Sequence, residues 1–129
     1  MVSFLRGLNH ITFAVKDLNR SLAFYQGVLG MSLEKNYKTG AYLRAGNVWI
    51  CLSVDEKTRD EPHADYTHIA FDIEEDAFHR FESHLKKQGI IQWKENKSEA
   101  HSFYFLDPDG HKLEIHVGTL ETRLKSMEQ

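Results

Sequence analysis

The chain has few of the residues that would staple it, break it or embed it in a membrane. Its 129 residues include a single cysteine, Cys51, so no internal disulfide can form, which fits a reducing compartment. Only two prolines interrupt it, Pro62 and Pro108, both in polar stretches. No apolar run approaches the ~18 residues that a membrane-spanning helix needs. The N-terminal "MVSFLRGLNH" has no long apolar stretch ahead of small residues, so no secretory leader is expected and the cytoplasm is the expected location. A basic excess is also missing. Sixteen Lys and Arg stand against nineteen Asp and Glu, a formal net charge of -3, which argues against a general nucleic-acid-binding face. Histidine and aromatic residues are plentiful instead, eight and fifteen of them, and histidine is the commonest metal ligand.

The phrase "NHITFAV" near the start returns fifty-eight positions later as "THIAFDI". Alternation puts Ile11, Phe13 and Val15 on one side of a strand, with His10, Thr12 and Ala14 on the other. The second phrase does the same with Ile69, Phe71 and Ile73 against His68, Ala70 and Asp72. A helix-period segment follows each phrase. "DLNRSLAFYQGVLG" spaces Leu18, Leu22, Tyr25 and Leu29 along one helical face and stops at Gly30, with Asp17 as its start. "EEDAFHRFESHLKKQG" spaces Phe78, Phe81 and Leu85 and closes at Gly89, with Asp76 as its start. Strands then follow in both halves: a weak one around 33–37, a hairpin across Ala45-Gly46-Asn47, another weak one around 90–94, and a second hairpin across Asp107-Pro108-Asp109-Gly110. The expected class is α+β. Two paired βαβββ modules, at about residues 7–54 and 66–118 of one domain, would form a curved, cup-shaped sheet with helices outside. "DEKTRDEPHADY" is the polar connection, and "ETRLKSMEQ" is a short helix or a frayed end.

Packing explains the matched isoleucines and phenylalanines of the repeat. It does not call for imidazole at two equivalent positions on the non-core face. Divalent metal sites commonly take three protein ligands, and the last strand, "HKLEIHV", offers the third. Its greasy row is Leu113, Ile115 and Val117, so Lys112, Glu114 and His116 share the other face. His10 and His68 with Glu114 make a two-histidine, one-carboxylate set suited to manganese, iron, nickel or zinc. Spacing alone leaves His116 as a rival to Glu114. Shifting by the hairpin spacing places Cys51 where the first half would carry a twin of Glu114.

With these features the chain resembles the vicinal-oxygen-chelate superfamily, and within it the fosfomycin-resistance glutathione transferases. The resemblance runs from Gly7 to Leu124 and rests on "LNHIT", "TGAYL", "VWICLS", "DYTHIAF", "WKENKSE" and "FYFLDPDGHKLEIHVGTL". It implies His10, His68 and Glu114 as the metal ligands, with Mn2+ the expected metal and Zn2+, Ni2+ or Fe2+ alternatives. It implies Thr12 and Tyr42 as catalytic residues, Tyr42 lying near the thiol. Trp49, Tyr66, Lys94, Ser98, Ser102, Tyr104 and Arg123 are the implied substrate-binding set. Lys94 and Arg123 would offset the charge of a small dianion, and the hydroxyls would donate to its oxygens.

Fosfomycin and glutathione are the partners so implied, in a homodimer whose chains exchange modules. A potassium loop is implied at Asn96, Ser98, Ala100 and Ser102, although the family usually has glycine where this chain has Ala100. Alanine would be penalised there if that position needs a positive φ. Relatives that hydrolyse fosfomycin place a glutamate near the segment occupied here by Gly40-Ala41. Enzymes using other thiols usually have cysteine at the position of Thr12. A metal-free drug-binding protein is the alternative from another class.

Overall fold

Strand positions follow from alternation, and burial bears the alternation out. Along β1 (His10–Val15) the side chains of Phe13 and Val15 are buried while His10 and Thr12 are exposed. Burying such a side chain stabilises a fold by roughly 1.5–3 kcal/mol, and the pattern fixes which face each neighbour must take. The structure is a computed structural model that describes residues 3–128. It divides into two compact units, Met1–Arg59 and Asp60–Gln129.

The first unit continues with α1 (Leu18–Leu22), a π-helical turn (Ala23–Val28), β2 (Ser32–Tyr37), β3 (Gly40–Ala45) and β4 (Val48–Val54). Its four strands are ordered β1-β4-β3-β2, with β1 parallel to β4 and the other pairs antiparallel. The second unit holds β5 (Ile69–Asp72), α2 (Glu75–Lys87), β6 (Gln92–Lys94), β7 (Ser102–Leu106), β8 (Lys112–His116) and α3 (Leu120–Ser126). Its sheet is ordered β5-β8-β7-β6, again with one parallel pair, β5 with β8. The α+β class and the twofold βαβββ order hold, with one four-stranded sheet in each unit.

Register makes the duplication quantitative. Thr12 faces Cys51 across β1 and β4, and Tyr42 faces Cys51 across β3 and β4. In the second unit Ala70 and Tyr104 face Glu114 in the same way. Cys51 therefore occupies the position equivalent to Glu114, as the hairpin spacing implies, and Tyr42 is the equivalent of Tyr104.

Two helical expectations change. The segment from Asp17 to Gly30 is not one α-helix. Asp17 caps α1 by accepting from the Arg20 amide, but after Leu22 the backbone widens, and the Leu29 N–H donates to the Phe24 carbonyl five residues back. The physical reason lies in two consecutive aromatics. Phe24 and Tyr25 are both buried, Tyr25 stacked on Phe13 at 5.2 Å and Phe24 edge-on to Tyr25 at 5.0 Å. The wider turn is where these two bulky rings are accommodated side by side. The second helix starts at Glu75, not Asp76, with Glu74 in the cap position and both Glu75 and Asp76 in the first turn, where the helix dipole favours them. The chain's last segment forms α3, capped reciprocally by Thr119 and Thr122.

The 107–110 turn also holds the connection between the modules. The Asp107 carboxylate accepts from the amides of Asp109 and His111 at 2.9 and 2.8 Å, which seats Gly110 at φ +88° against the backbone of Glu61 and Pro62. A Cβ at Gly110 would lie 2.9 Å from the Pro62 nitrogen. Gly110→Ala is expected to cost about 1–3 kcal/mol through this clash and the left-handed backbone. Urea denaturation measures it, and an unchanged midpoint would contradict the contact.

Candidate functional site

In the first unit the exposed face of the sheet carries an aromatic row. His10 pairs with Trp49 across β1 and β4, and their rings lie 4.4 Å apart. Trp49 is edge-on to Tyr42 at 5.5 Å, and Tyr42 tilts against Tyr37 at 5.3 Å. The His10 Nδ1 lies 2.7 Å from the Asn9 Oδ1, an acceptor, so Nδ1 carries a hydrogen and Nε2 is the ring nitrogen left to serve as a ligand. Thr12 is exposed beside this row, above the buried Cys51. Tyr37 bonds to Tyr42, and that hydrogen bond, followed by partial burial, holds the Tyr37 hydroxyl above the usual phenol range. Gly40 makes the arrangement possible. A Cβ there would come within 2.5 Å of the Leu52 carbonyl and 2.6 Å of the Tyr37 hydroxyl.

The second unit gathers the charged members. His68 stands just ahead of β5, and its Nδ1 lies 2.8 Å from the Tyr66 carbonyl. A carbonyl only accepts, so Nδ1 donates, and the other ring nitrogen, Nε2, meets Glu114 Oε1 at 2.9 Å. Glu114 is buried in the middle of β8, and its other oxygen accepts from the Ser102 hydroxyl at 2.6 Å. Ser102 also meets His116 Nδ1, and that nitrogen lies 3.4 Å from Glu114 Oε2. His116, the spacing rival to Glu114, thus stands behind the carboxylate.

Lys94 donates to the Tyr66 hydroxyl at 2.7 Å and sits over the rings of Tyr66 and Tyr104 at 4.8 and 4.7 Å. The bond to Tyr66 holds its ammonium above the usual lysine range, so it stays charged. Burial, followed by the negative charge of Glu114, raises the Tyr104 hydroxyl above its ordinary value, so it stays a donor. Trp93 braces the cluster: its indole donates to the Leu113 carbonyl at 3.0 Å, and its edge meets His68 and Tyr104.

In the loop from 96 to 102 the Ala100 carbonyl collects donors from Asn96 Nδ2 and Ser98 Oγ at 2.8 and 2.9 Å, and Ser98 also reaches Asn96 Oδ1. Among the described residues no non-glycine residue has a positive φ, so Ala100 carries no left-handed penalty. Arg123, from α3, gives its Nε to Glu99, and this ion pair, hydrogen bond first, holds Glu99 below the usual carboxylate range.

Of the expected residues, the structure brings His68, Glu114 and Ser102 into one hydrogen-bonded set and Tyr66, Lys94 and Tyr104 into another beside it. Ser98 with Asn96 and Ala100 forms a separate loop cluster, and Arg123 is held by Glu99. His10, Tyr42 and Trp49 form the row in the first unit. Among the described residues no three histidine, cysteine or carboxylate side chains are gathered closely enough to hold a metal ion. The pair in the second unit nevertheless fits one. His68 Nε2 and Glu114 Oε1, 2.9 Å apart, are close enough to share one cation, and a histidine whose Nδ1 is held by a carbonyl is oriented as a ligand through Nε2. Sequence patterning missed Tyr37, Trp93, Glu99 and the support given by His116. All four act through contacts between strands or loops, and no local periodicity marks them.

Comparison with known proteins agrees with this architecture. Residues 7–115 match the model of the Glyoxalase/Bleomycin resistance protein/Dioxygenase superfamily. A glutathione transferase FosA from Serratia marcescens is 51% identical over 122 residues, 93% of this chain and 86% of that protein. A metallothiol transferase FosB from Staphylococcus epidermidis is 40% identical over 125 residues, 94% of this chain and 88% of that one. The crystal structure of the fosfomycin resistance protein FosX from Listeria monocytogenes with Mn(II) and sulfate superposes with a TM-score of 0.80 at 30% identity, covering 94% and 99% of the two chains.

Because the Glu99 pKa is depressed, the ion pair with Arg123 contributes fully above the ordinary carboxylate pKa and is lost as pH falls through the depressed value. Arg123→Met is expected to return Glu99 toward the ordinary range in a carboxyl-carbon NMR titration. An unshifted Glu99 in that variant would contradict the assignment.

Proposed function

The chain belongs to the Glyoxalase/Bleomycin resistance protein/Dioxygenase superfamily, and on that premise we propose that it inactivates fosfomycin by adding the thiol of glutathione to the epoxide. The observation that carries this reading is the 51% identity to a glutathione transferase FosA across 93% of the chain. The ligands would be His10, His68 and Glu114, holding a divalent cation, Mn2+ before Zn2+, Ni2+ or Fe2+. Such a cation supplies Lewis-acid charge where the epoxide oxygen takes up electrons.

The protein's own residues do the rest. Lys94, kept charged by Tyr66, meets the phosphonate. Arg123 spends its Nε on Glu99 and has further N–H groups for the same dianion. Tyr104 keeps its proton and donates, joined by the hydroxyls of Thr12, Ser98 and Tyr66, while Ser102 holds Glu114. Trp49 walls off solvent beside the epoxide carbons. The thiolate is the nucleophile and a free thiol has a pKa of ~8.5, so Tyr42 relays the thiol proton, taking it on its oxygen as it gives up its own, and that proton ends on the opened epoxide oxygen by way of solvent. Sulfur bonds to one epoxide carbon as that carbon's bond to oxygen breaks, and the oxygen ends as a hydroxyl. Potassium at Asn96, Ser98, Ala100 and Ser102 would draw on the Ala100 carbonyl and the loop hydroxyls.

The first unit speaks against hydrolysis. Position 40 has no room for a Cβ and Ala41 is fully buried, so a water-activating glutamate has no place in that segment. The 40% identity to a metallothiol transferase FosB keeps another thiol as the second reading, against which Thr12 stands. Chain pairing is part of the proposal. Phe4, Leu5 and Leu8 are at least 80% exposed, and Leu120, Leu124 and Met127 of the α3 region are exposed too. Apolar surface of that extent calls for cover, which a second copy in a module-swapped homodimer would provide. No helix among the described residues is long and apolar enough to cross a membrane, and cytoplasmic action is proposed.

The test offers fosfomycin with glutathione, cysteine or water, with and without Mn2+. Adduct is expected only with glutathione and metal, and Glu114→Ala should abolish it; loss of drug in water alone would overturn the reading. Mixing inactive His10→Ala and Glu114→Ala chains tests the swap. A module-exchanged dimer rebuilds one intact site per mixed dimer and recovers roughly a quarter of the activity, whereas sites built within one chain recover none.

A further inference from the structure

We propose that His116 is a positioning residue for Glu114, acting through Ser102; this rests on Glu114 being a metal ligand, as proposed above. Ser102 and His116 face each other across β7 and β8, and Glu114 lies two residues before His116 on the same face. Glu114 is a nearly buried carboxylate, so both of its oxygens need partners. Oε1 faces His68 and Oε2 takes the Ser102 hydroxyl at 2.6 Å.

That hydroxyl has one hydrogen, and an ionised carboxylate can only accept it. At its 2.5 Å contact with His116, Ser102 must therefore accept, and His116 Nδ1 must be the donor. An Nδ1–H aimed at Oγ occupies the serine lone pair and turns the hydroxyl hydrogen toward Glu114. The carboxylate is then held with Oε1 presented on the other side. His116 is placed in turn by its setting: its Nε2 is 3.9 Å from Glu99, which Arg123 holds.

The duplication supplies an internal control. Tyr42 is the equivalent of Tyr104 and Cys51 that of Glu114, so Gly40 and Ser53 occupy the places of Ser102 and His116; Gly40 pairs with Ser53 as Ser102 pairs with His116. The half without a carboxylate has neither the serine nor the histidine. The three residues occur together only where there is a carboxylate to hold.

The experiment measures Mn2+ affinity by electron paramagnetic resonance on the full-length protein, with thermal melts as the check on folding. Partners of a metal ligand typically change metal affinity ~10–100-fold when removed. His116→Leu is expected to weaken Mn2+ binding by about that factor. His116→Asn, whose amide N–H falls near the position of Nδ1, should restore affinity to within about threefold of the parent. His116→Gln places its amide near Nε2 and should not. Equal loss in the Asn and Leu variants would reduce His116 to packing, and parent-like affinity in all three would overturn the proposal. Glu114→Gln separates the two readings: parent-like Mn2+ affinity there refutes Glu114 as a ligand and this inference with it, whereas loss there with intact His116 variants refutes this inference alone.

Discussion

His68 Nε2 and Glu114 Oε1 meet at 2.9 Å in the second unit, and much of the polar structure around them holds that pair in place. The Tyr66 carbonyl dictates which nitrogen of His68 is free, and Ser102 dictates which oxygen of Glu114 is free. A buried carboxylate is costly unless hydrogen-bond donors or positive charge meet it. The surroundings are built accordingly. Lys94 is kept charged by Tyr66, and Tyr104 keeps its proton because it is buried near Glu114. Aromatic edges, from Trp93 above all, hold the imidazole from the side. A cation accommodated there would be met by donors whose orientation was settled during folding, so little reorganisation would accompany its arrival.

The two units share a backbone plan and differ in the side chains it carries. Both sheets have the same strand order and the same single parallel pair. Their equivalent positions diverge. The first unit has Cys51, Gly40 and Ser53 where the second has Glu114, Ser102 and His116. One half is consequently aromatic, with His10, Trp49, Tyr42 and Tyr37 in a row, and the other is ionic. The FosA-type transferase and FosB-type metallothiol transferase matched by this chain cover nearly all of it, so both halves take part in the likeness.

Much of the fold was legible because strands and turns leave short-range marks. Period-two alternation located β1, β5 and β8, and Asp107-Pro108-Asp109-Gly110 announced its turn by composition alone. Asp17 declared a helix start that the structure keeps. The helix end was not legible in the same way, because Phe24 and Tyr25 must both be buried, and that demand comes from Phe13 on a neighbouring strand. The repeated histidines stood out since packing had no use for them, whereas spacing left Glu114 level with His116 and the resemblance chose between the two. The supporting residues did not stand out. Glu99, His116 and Trp93 act through partners twenty or so residues away or on the next strand, and neither the "WKENKSE" motif nor the alternation along the last strand gives them those supporting roles. Glycine at position 40 looks like an ordinary turn residue until the ring of Tyr37 is seen lying over it.

Cys51 matters for what it does not do. It is the chain's single thiol, buried on β4 between Thr12 and Tyr42. A catalyst that brings an electrophilic ring to a sulfur nucleophile risks alkylating itself whenever its own sulfur competes. Burial withholds this one from attack, so under the proposed thiol addition the co-substrate would meet no rival and the protein would escape alkylation by its own substrate.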